Sequence, residues 1–172
     1  LSYYAFQMLY WTGIRVGELL ALTAGDFDFK NNMLTINKSY QRLHGEDVIT
    51  PPKTEKSNRT IKMPQFLCDE MQEYLKMFYS PNDGDRIFPI SKSYLHHEMD
   101  RGSKAAGVKR IRIHDLRHSH VSLLINQGYQ AAAIADRVGH ETVEITDRYT
   151  HIYPSKQNEM ANTLDELWKE RK

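Results

Sequence analysis

The stretch IHDLRHSH, residues 113–120, is the most informative part of the sequence for both fold and chemistry. It predicts the start of a helix, on which His114 and Arg117, three positions apart, project from one face. A guanidinium offers a planar pair of donors to a phosphate, and an imidazole can move a proton near neutral pH. We therefore interpret the pair as a candidate phosphate site. The alternative is a chance pairing on an ordinary surface or core helix.

A metal site is a second interpretation of the same stretch. His114 and His118 are four residues apart, which is the spacing of many zinc-binding histidines on helices. The glutamate that follows the first histidine in zinc proteases is absent, since Asp115 occupies that position. No third ligand is evident, and the cationic Arg117 between the two histidines would repel a metal ion. We predict no metal here.

The whole chain predicts a mainly α-helical domain with a small three-stranded antiparallel β-sheet. Helical spacing of apolar residues predicts a first helix over 2–22, in which Gly13 and Gly17 indicate close packing or a break. Alternating patterns predict three short strands, at 33–37, 47–50 and 59–63. Pro64 is expected to open the next helix, and a turn is expected at 80–84. Further helices are predicted over 91–106, 113–127, 130–137, 141–149 and 154–172.

Composition fits an ordinary globular protein. Of its 172 residues, 40% are hydrophobic and 26% charged, and no apolar run approaches the roughly 20 residues that span a bilayer. The single Cys68 cannot form an internal disulfide, which favours a reducing compartment and a packed thiol. The net charge is only +1, yet basic residues cluster over 53–62 and 101–117. Such clusters can neutralise phosphates, although a solvated charged face is the simpler explanation of charge alone.

Five segments together carry a specific resemblance. They are TGIRVGELL at 12–20, TPPKTEKS with RTI at 50–61, HDLRHS at 114–119, VGH at 138–140 and RYTH at 148–151. In this order they resemble the arginine, lysine-hairpin, second arginine, Leu-Gly-His and nucleophile motifs of the tyrosine recombinases, the phage integrase family. The flanks DFDF at 26–29 and TINKSY at 35–40 resemble integrases of conjugative transposons and phages of Gram-positive bacteria in particular.

The resemblance implies the residues of the active site. The expected catalytic set is Arg15, Lys53, His114, Arg117, His140 and the nucleophile Tyr149. Glu18 is expected to orient Arg15 or His114, with a plain helix salt bridge as the alternative. Contacts to DNA are expected from Lys56, Arg59, Arg110, Arg112 and His118. Tyr153 is the alternative nucleophile, and Lys56 is the alternative to Lys53.

Phosphodiester cleavage without a metal needs a nucleophile, neutralised phosphate charge and a proton for the leaving oxygen. In the implied mechanism Arg15, Arg117 and His140 bind the non-bridging oxygens. His114 accepts the proton of Tyr149, and Lys53 protonates the departing 5′-oxygen. A 3′-phosphotyrosine keeps the bond energy for religation, so no metal, ATP or other cofactor is implied.

Residues 1–172 are expected to form a single catalytic domain, a fragment of a longer protein whose N-terminal DNA-binding domains are absent. The resemblance implies double-stranded recombination sites as partners, and a tetramer on the DNA formed from protomers that are monomeric in isolation. The tail helix at 154–172 would then dock on a neighbouring protomer or pack on its own domain. A type IB topoisomerase, a DNA-binding module with a decayed active site, and a metal-dependent nuclease are the alternatives. A bacterial cytoplasmic protein associated with the nucleoid is expected.

Overall fold

The computed structural model describes residues 1–52, 54–78 and 84–147, together with Ala161, Leu164 and Glu166. The helices in this part of the chain are α1 (Ser2–Thr12), α2 (Val16–Ala21), α3 (Gln65–Lys76), α4 (Lys92–Ala106), α5 (Asp115–Asn126), α6 (Ala131–Val138) and α7 (Val143–Asp147). The strands are β1 (Phe27–Asp28), β2 (Met33–Ile36), β3 (Ser39–Leu43), β4 (Glu46–Thr50) and β5 (Arg59–Lys62). The predicted fold class, mainly helical with a small antiparallel sheet, is confirmed.

The predicted first helix is divided in two at Gly13. Gly13 adopts a left-handed conformation, with φ of 68°, and its N–H caps the Leu9 carbonyl. A Cβ at this position would lie 2.5 Å from the His120 ring, so the glycine also allows close packing against α5. Arg15 is extended and forms the N-cap of α2. The break therefore places Arg15 in a gap between two helices.

The strand prediction is correct in position but wrong in pairing. Strands β1, β2 and β5 form one antiparallel sheet, with Leu34 opposite both Phe27 and Ile61. Strand β4 pairs instead with β3 in a separate hairpin. The turn of this hairpin is His44-Gly45, and both residues have positive φ, 50° and 88°, as a two-residue hairpin turn of the primed type requires. The partly exposed β3 has a weak apolar pattern, which explains why it was missed.

The main core lies between α1, α2, α3 and the three-stranded sheet. Leu19, Leu20, Leu34, Leu67 and Met71 are fully buried there. Cys68 is also fully buried, which agrees with the predicted packed thiol, and burial raises its pKa. None of the helices in the described ranges combines the length and apolarity needed to cross a bilayer.

A smaller apolar cluster joins α5 to α6. Val121, Ile134 and Val138 form it, and all three are at most 1% exposed. This contact brings the C-terminal end of α6 beside the start of α5. The predicted turn at 80–84 lies outside the described residues except for Gly84. Of the predicted tail helix, Ala161, Leu164 and Glu166 are described; all three are helical and exposed.

Candidate active site

The C-terminal end of α6 is the point at which the candidate segments meet. Gly139 ends the helix in a left-handed conformation, and the His140 N–H returns to the Ala135 carbonyl at 2.9 Å. Three consecutive main-chain oxygens at this helix end, which we call the carbonyl row, each accept a hydrogen bond from a different arginine. The pairs are Arg59 Nε to Arg137 O (2.9 Å), Arg117 Nη2 to Val138 O (2.6 Å) and Arg15 Nη2 to Gly139 O (2.9 Å). Cations are favoured at a helix C-terminus, where carbonyls lack intrahelical partners.

Arg117 is the most deeply placed of the three. Only 3% of the residue is exposed, and its Nη1 donates to the Gly13 carbonyl at 2.6 Å. The same guanidinium thus joins the break between α1 and α2 to the carbonyl row. A buried charge is tolerated when it is well hydrogen-bonded, which these contacts provide.

Arg15 is the outermost arginine, with 38% of its side chain exposed. Its Nη1 donates to Oε1 of Glu18 at 2.9 Å, and its main-chain N–H donates to the other carboxylate oxygen at 2.8 Å. Glu18 is only 4% exposed. This geometry supports the predicted orienting role of Glu18 toward Arg15, and no hydrogen bond from Glu18 to His114 occurs among the described contacts. Burial by itself raises the pKa of Glu18, but the hydrogen bonds and charges of Arg59 and Arg15 hold that pKa below its usual value.

His140 follows the carbonyl row and is 9% exposed. Its Nδ1 shares a 2.9 Å hydrogen bond with Oγ1 of Thr146, a fully buried residue of α7. Burial, and then the positive charges of Arg117 and Arg15, lower the pKa of His140 to about 4. The imidazole is therefore neutral at pH 7, fixed by its neighbour on α7, and able to act as a neutral hydrogen-bonding group.

His114 precedes α5 and remains exposed. Its ring meets His118 edge to face, with centroids 4.7 Å apart. Partial burial, then His118 and Arg117, lower the pKa of His114. Within residues 1–52, 54–78 and 84–147 no three metal-ligating side chains form a cluster.

A groove of about 530 Å³ is lined by several of these groups, but the buried Arg117 is not among its lining residues. Arg15, His114 and His140 line it, while Lys38 and Lys92, which the sequence did not mark as candidates, face it from other walls. Lys38 is held by Asp26, with Nζ to oxygen distances of 2.5 and 2.6 Å. Lys53 and Tyr149, with the alternative Tyr153, lie outside the described residues, so their assignments stay predictions.

Most of the predicted DNA contacts are exposed side chains. Arg110 and Arg112 are exposed on the segment before α5, where they pair with Asp100 and Asp115. Lys56 is also exposed, and its Nζ donates to the Glu141 carbonyl at 2.8 Å, next to His140. His118 is half-buried.

Arg59 differs from the other predicted DNA contacts. Its side chain is 7% exposed, and its guanidinium is directed inward to Glu18. This orientation favours a structural role in this conformation, in place of the surface contact expected from the sequence.

Sequence reasoning missed Arg137, which links four segments. Its guanidinium donates to the Trp11 and Lys62 carbonyls and to Nε2 of His120. Thr146 was also missed. Arg137 binds two main-chain carbonyls and one histidine, and Thr146 acts through a single hydroxyl. Contacts of these kinds leave no pattern in a sequence.

Comparison with known proteins shows the family. A family model described as the phage integrase family matches residues 2–156. The chain belongs to this family, as its five motif segments predicted. Among its relatives, the ICEBs1 integrase of Bacillus subtilis (strain 168) is 36% identical, in an alignment covering 94% of this chain and 48% of that protein. The integrase of Staphylococcus phage L54a is 30% identical, covering 91% and 49% respectively.

Solved structures share the fold. The Tn1549 transposon integrase in complex with a circular intermediate DNA superimposes with a TM-score of 0.81 at 23% identity, covering 96% of this chain and 58% of that one. The catalytic domain of bacteriophage HP1 integrase gives a TM-score of 0.61 at 20% identity, covering 92% and 79%. Integrases of mobile elements, which the flanking segments predicted, are thus among the relatives of this chain. The chain spans about half the length of the full relatives it matches.

Proposed function

We propose that this chain is the catalytic domain of a site-specific DNA recombinase of the integrase type. It cleaves and rejoins DNA strands through a 3′-phosphotyrosine at Tyr149, without metal or ATP. The observation that carries the proposal is the groove that Arg15, His114 and His140 line together. The buried Arg117 donates to the carbonyl row next to the carbonyl that Arg15 binds. Family membership and the segment order support the same conclusion.

The electrostatics of the groove suit a phosphodiester in the act of exchange. Charge builds up on the non-bridging oxygens in the pentacovalent transition state, and preorganised donors stabilise it, each by roughly 3 kcal/mol in comparable sites. Arg15 and Arg117 are held in place by carbonyls and a carboxylate before any DNA binds, so little reorganisation is needed. The neutral His140 adds a hydrogen-bonding group at the same place.

The proposed reaction proceeds by one displacement. The Tyr149 oxygen loses its proton to His114 and forms a bond to phosphorus. The bond from phosphorus to the 5′-oxygen breaks, and Lys53 supplies the proton that this oxygen takes. Attack by the 5′-hydroxyl of another strand reverses each of these transfers, which rejoins the DNA in a new arrangement.

The partners follow from the reaction. Strand exchange between two sites requires four cleavages, so we expect four protomers on paired double-stranded sites, and a monomer without DNA. The segment at 154–172 would dock on a neighbouring protomer. The exposed Lys56, Arg110 and Arg112 and the half-buried His118 would contact phosphates. Further DNA-binding domains would precede this one. A protein of this kind would work in the bacterial cytoplasm at the nucleoid.

Formation of a covalent adduct tests the proposal. Full-length protein is mixed, in EDTA, with a nicked duplex that carries the terminal sequence of the mobile element encoding it. After cleavage the short strand between the cleavage site and the nick diffuses away, so the 5′-hydroxyl needed for religation is lost and the covalent intermediate accumulates. We expect an adduct with the 3′ end of the cleaved strand, abolished in Tyr149→Phe and retained in the matched Tyr153→Phe variant.

Other results would reject the proposal in distinct ways. Cleavage that needs a divalent ion and gives no adduct identifies a metal-dependent nuclease. Binding without cleavage identifies a DNA-binding module. A protein that forms the adduct and relaxes supercoils, but never joins strands from two duplexes, is a topoisomerase.

A further inference from the structure

Arg59 is held among buried groups, which its predicted contact with DNA does not explain. Its Nη1 and Nη2 donate to the two carboxylate oxygens of Glu18 at 3.1 and 3.0 Å. Its Nε donates to the Arg137 carbonyl at 2.9 Å, and Nη1 also reaches the Ser57 carbonyl at 3.0 Å. All three guanidinium nitrogens are thus engaged, on a side chain that is 7% exposed.

Arg59 contacts one acceptor of Arg15 directly and lies close to another. Arg15 donates to Glu18 and to the Gly139 carbonyl. Arg59 grips the same carboxylate, and it binds the carbonyl row two residues before Gly139. The contacts close a ring that runs from Arg59 through Glu18, Arg15 and the carbonyl row back to Arg59. A Cβ on Gly139 would lie 2.9 Å from Nη1 of Arg59, so the ring is tightly packed.

We propose that Arg59 is a positioning residue for Arg15, and that it sets the angle at which Arg15 faces the phosphate in the groove. This inference rests on the proposed recombinase function. Glu18 is a nearly buried carboxylate that accepts from two guanidiniums. Without Arg59 it would have Arg15 as its one remaining cation in this ring. A buried carboxylate in that situation draws its remaining partner into a bidentate pair, and Arg15 would turn inward, away from the groove.

Charge alone does not perform this task. A lysine at position 59 would keep the positive charge, but one ammonium cannot hold both carboxylate oxygens and the Arg137 carbonyl with the planar geometry of a guanidinium. Arg59→Lys should therefore restore only part of the function. A misplacement of about 1 Å at an active site can cost roughly 100-fold in rate.

The test measures adduct formation at saturating DNA in a single turnover. We expect Arg59→Met to slow it by about 10- to 100-fold and Arg59→Lys by less, while affinity for the duplex and its salt dependence stay as in wild type. Arg86→Met is the matched control, because Arg86 also holds a carboxylate, Asp47, and a carbonyl, that of Leu20, but has no described hydrogen bond to Arg15, Glu18 or the carbonyl row. It should lower the thermal midpoint and leave the rate unchanged.

A double substitution gives the decisive comparison. If Arg59 acts through Arg15, its effect should disappear in an Arg15→Ala background, so that the double variant is no slower than Arg15→Ala alone. Effects that multiply would overturn the inference. So would weaker DNA binding with a salt slope smaller by about 0.9, the signature of a lost phosphate contact, at an unchanged saturated rate.

Folding and function are separated in the same series. Should Arg59→Met fail to fold, Arg59→Lys carries the same comparison, because it retains the buried charge. The proposed recombinase function fails on a different result: a wild-type protein that forms no adduct, or a Tyr149→Phe variant that still does.

Discussion

Nη2 of Arg117 donates a 2.6 Å hydrogen bond to the Val138 carbonyl, while Nη1 of the same side chain donates to the Gly13 carbonyl. One buried guanidinium thus joins two segments that are 125 positions apart in the chain, from Gly13 to Val138. Arg117 therefore serves both the fold and the proposed chemistry, and its replacement should affect two measurements at once.

Arg117→Lys should lower both stability and rate. A single ammonium cannot reach both carbonyls in this geometry, so a buried acceptor loses its partner, at a cost of about 1–3 kcal/mol in the free energy of unfolding. We expect adduct formation to slow by about 100-fold or more. Urea unfolding and single-turnover cleavage measure the two effects. Arg112→Lys, on a side chain that is 74% exposed, should change stability by less than about 0.5 kcal/mol. Equal stability of the two variants would contradict the structural half of the prediction.

The hydroxyl of Thr146 can be removed almost without changing shape. Thr146→Val keeps the buried volume but leaves Nδ1 of His140 without its described partner. We expect a loss of about 1–2 kcal/mol in stability and roughly 10-fold in the rate of adduct formation. Thr146→Ser, which keeps the hydroxyl, should remain within about threefold of wild type. If the valine and serine variants cleave equally fast, Thr146 does not orient His140.

Two glycines at helix ends form a natural matched pair. Gly139 and Gly107 have nearly equal left-handed φ values, 69° and 66°. A Cβ at Gly139 would meet Arg59 and the Lys56 carbonyl, whereas a Cβ at Gly107 would meet open space. Gly107→Ala should cost only the backbone strain, about 1 kcal/mol, and leave cleavage intact. Gly139→Ala should lower the free energy of unfolding by more than this and slow cleavage at least 10-fold. The added methyl group would displace the carbonyl row, and a misplacement of about 1 Å at an active site can cost roughly 100-fold in rate.

The reverse ranking of these two alanine variants in thermal unfolding, or equal cleavage by both, would show that the Gly139 contact has no special role.

Two buried histidines should make stability depend on pH. Burial, followed by Arg137 for His120 and by Arg117 for His140, lowers the pKa of each to about 4, below the value of 6.5 expected when unfolded. The unfolded chain therefore binds protons that the folded chain does not between these limits. The stability that comes from keeping these histidines neutral should be fully present above pH 6.5. The free energy of unfolding should then fall as pH decreases toward 4, by at most roughly 3 kcal/mol for each histidine.

Urea unfolding at several pH values measures this slope. His120→Gln should remove the part of this slope that His120 contributes in the window from pH 6.5 to 4. Glu18 acts in a separate window, because its folded pKa is lowered and its contribution is lost only below about pH 4.5. A pH-independent free energy of unfolding between 6.5 and 4.5 would be incompatible with two neutral buried histidines.

Much of the fold could be predicted because several of its helices have strong apolar periodicity. The helices at 65–76, 92–106 and 131–138 have such a pattern. The helix at 115–126 has little apolar periodicity, and its predicted end came from Gly128. Strand pairing could not be predicted, since three similar short strands can pair in several ways and the choice depends on a hairpin turn. That turn contains His44 with a positive φ, and histidine at such a position is a weaker turn signal than asparagine.

The candidate site shows the same division. Arg15, His114 and His140 were expected together from their motifs, and they do line one groove. The contacts that hold them there could not be predicted. Arg59 looks like any basic residue of a lysine-rich hairpin, and only burial distinguishes its ion pair with Glu18 from a surface contact.

The carbonyl row has a consequence for how this domain tolerates change. Three arginines are oriented by oxygens that every amino acid possesses, so the identity of the side chain at Arg137 or Val138 matters less to them than the spacing of the main chain. Insertion or deletion of a single helical residue just before Arg137 would turn the main chain that follows by about 100°, the turn of one helical residue, and would misdirect the oxygens that the three guanidiniums bind. The length of this segment, together with the glycine at position 139, is therefore what sequence drift must preserve.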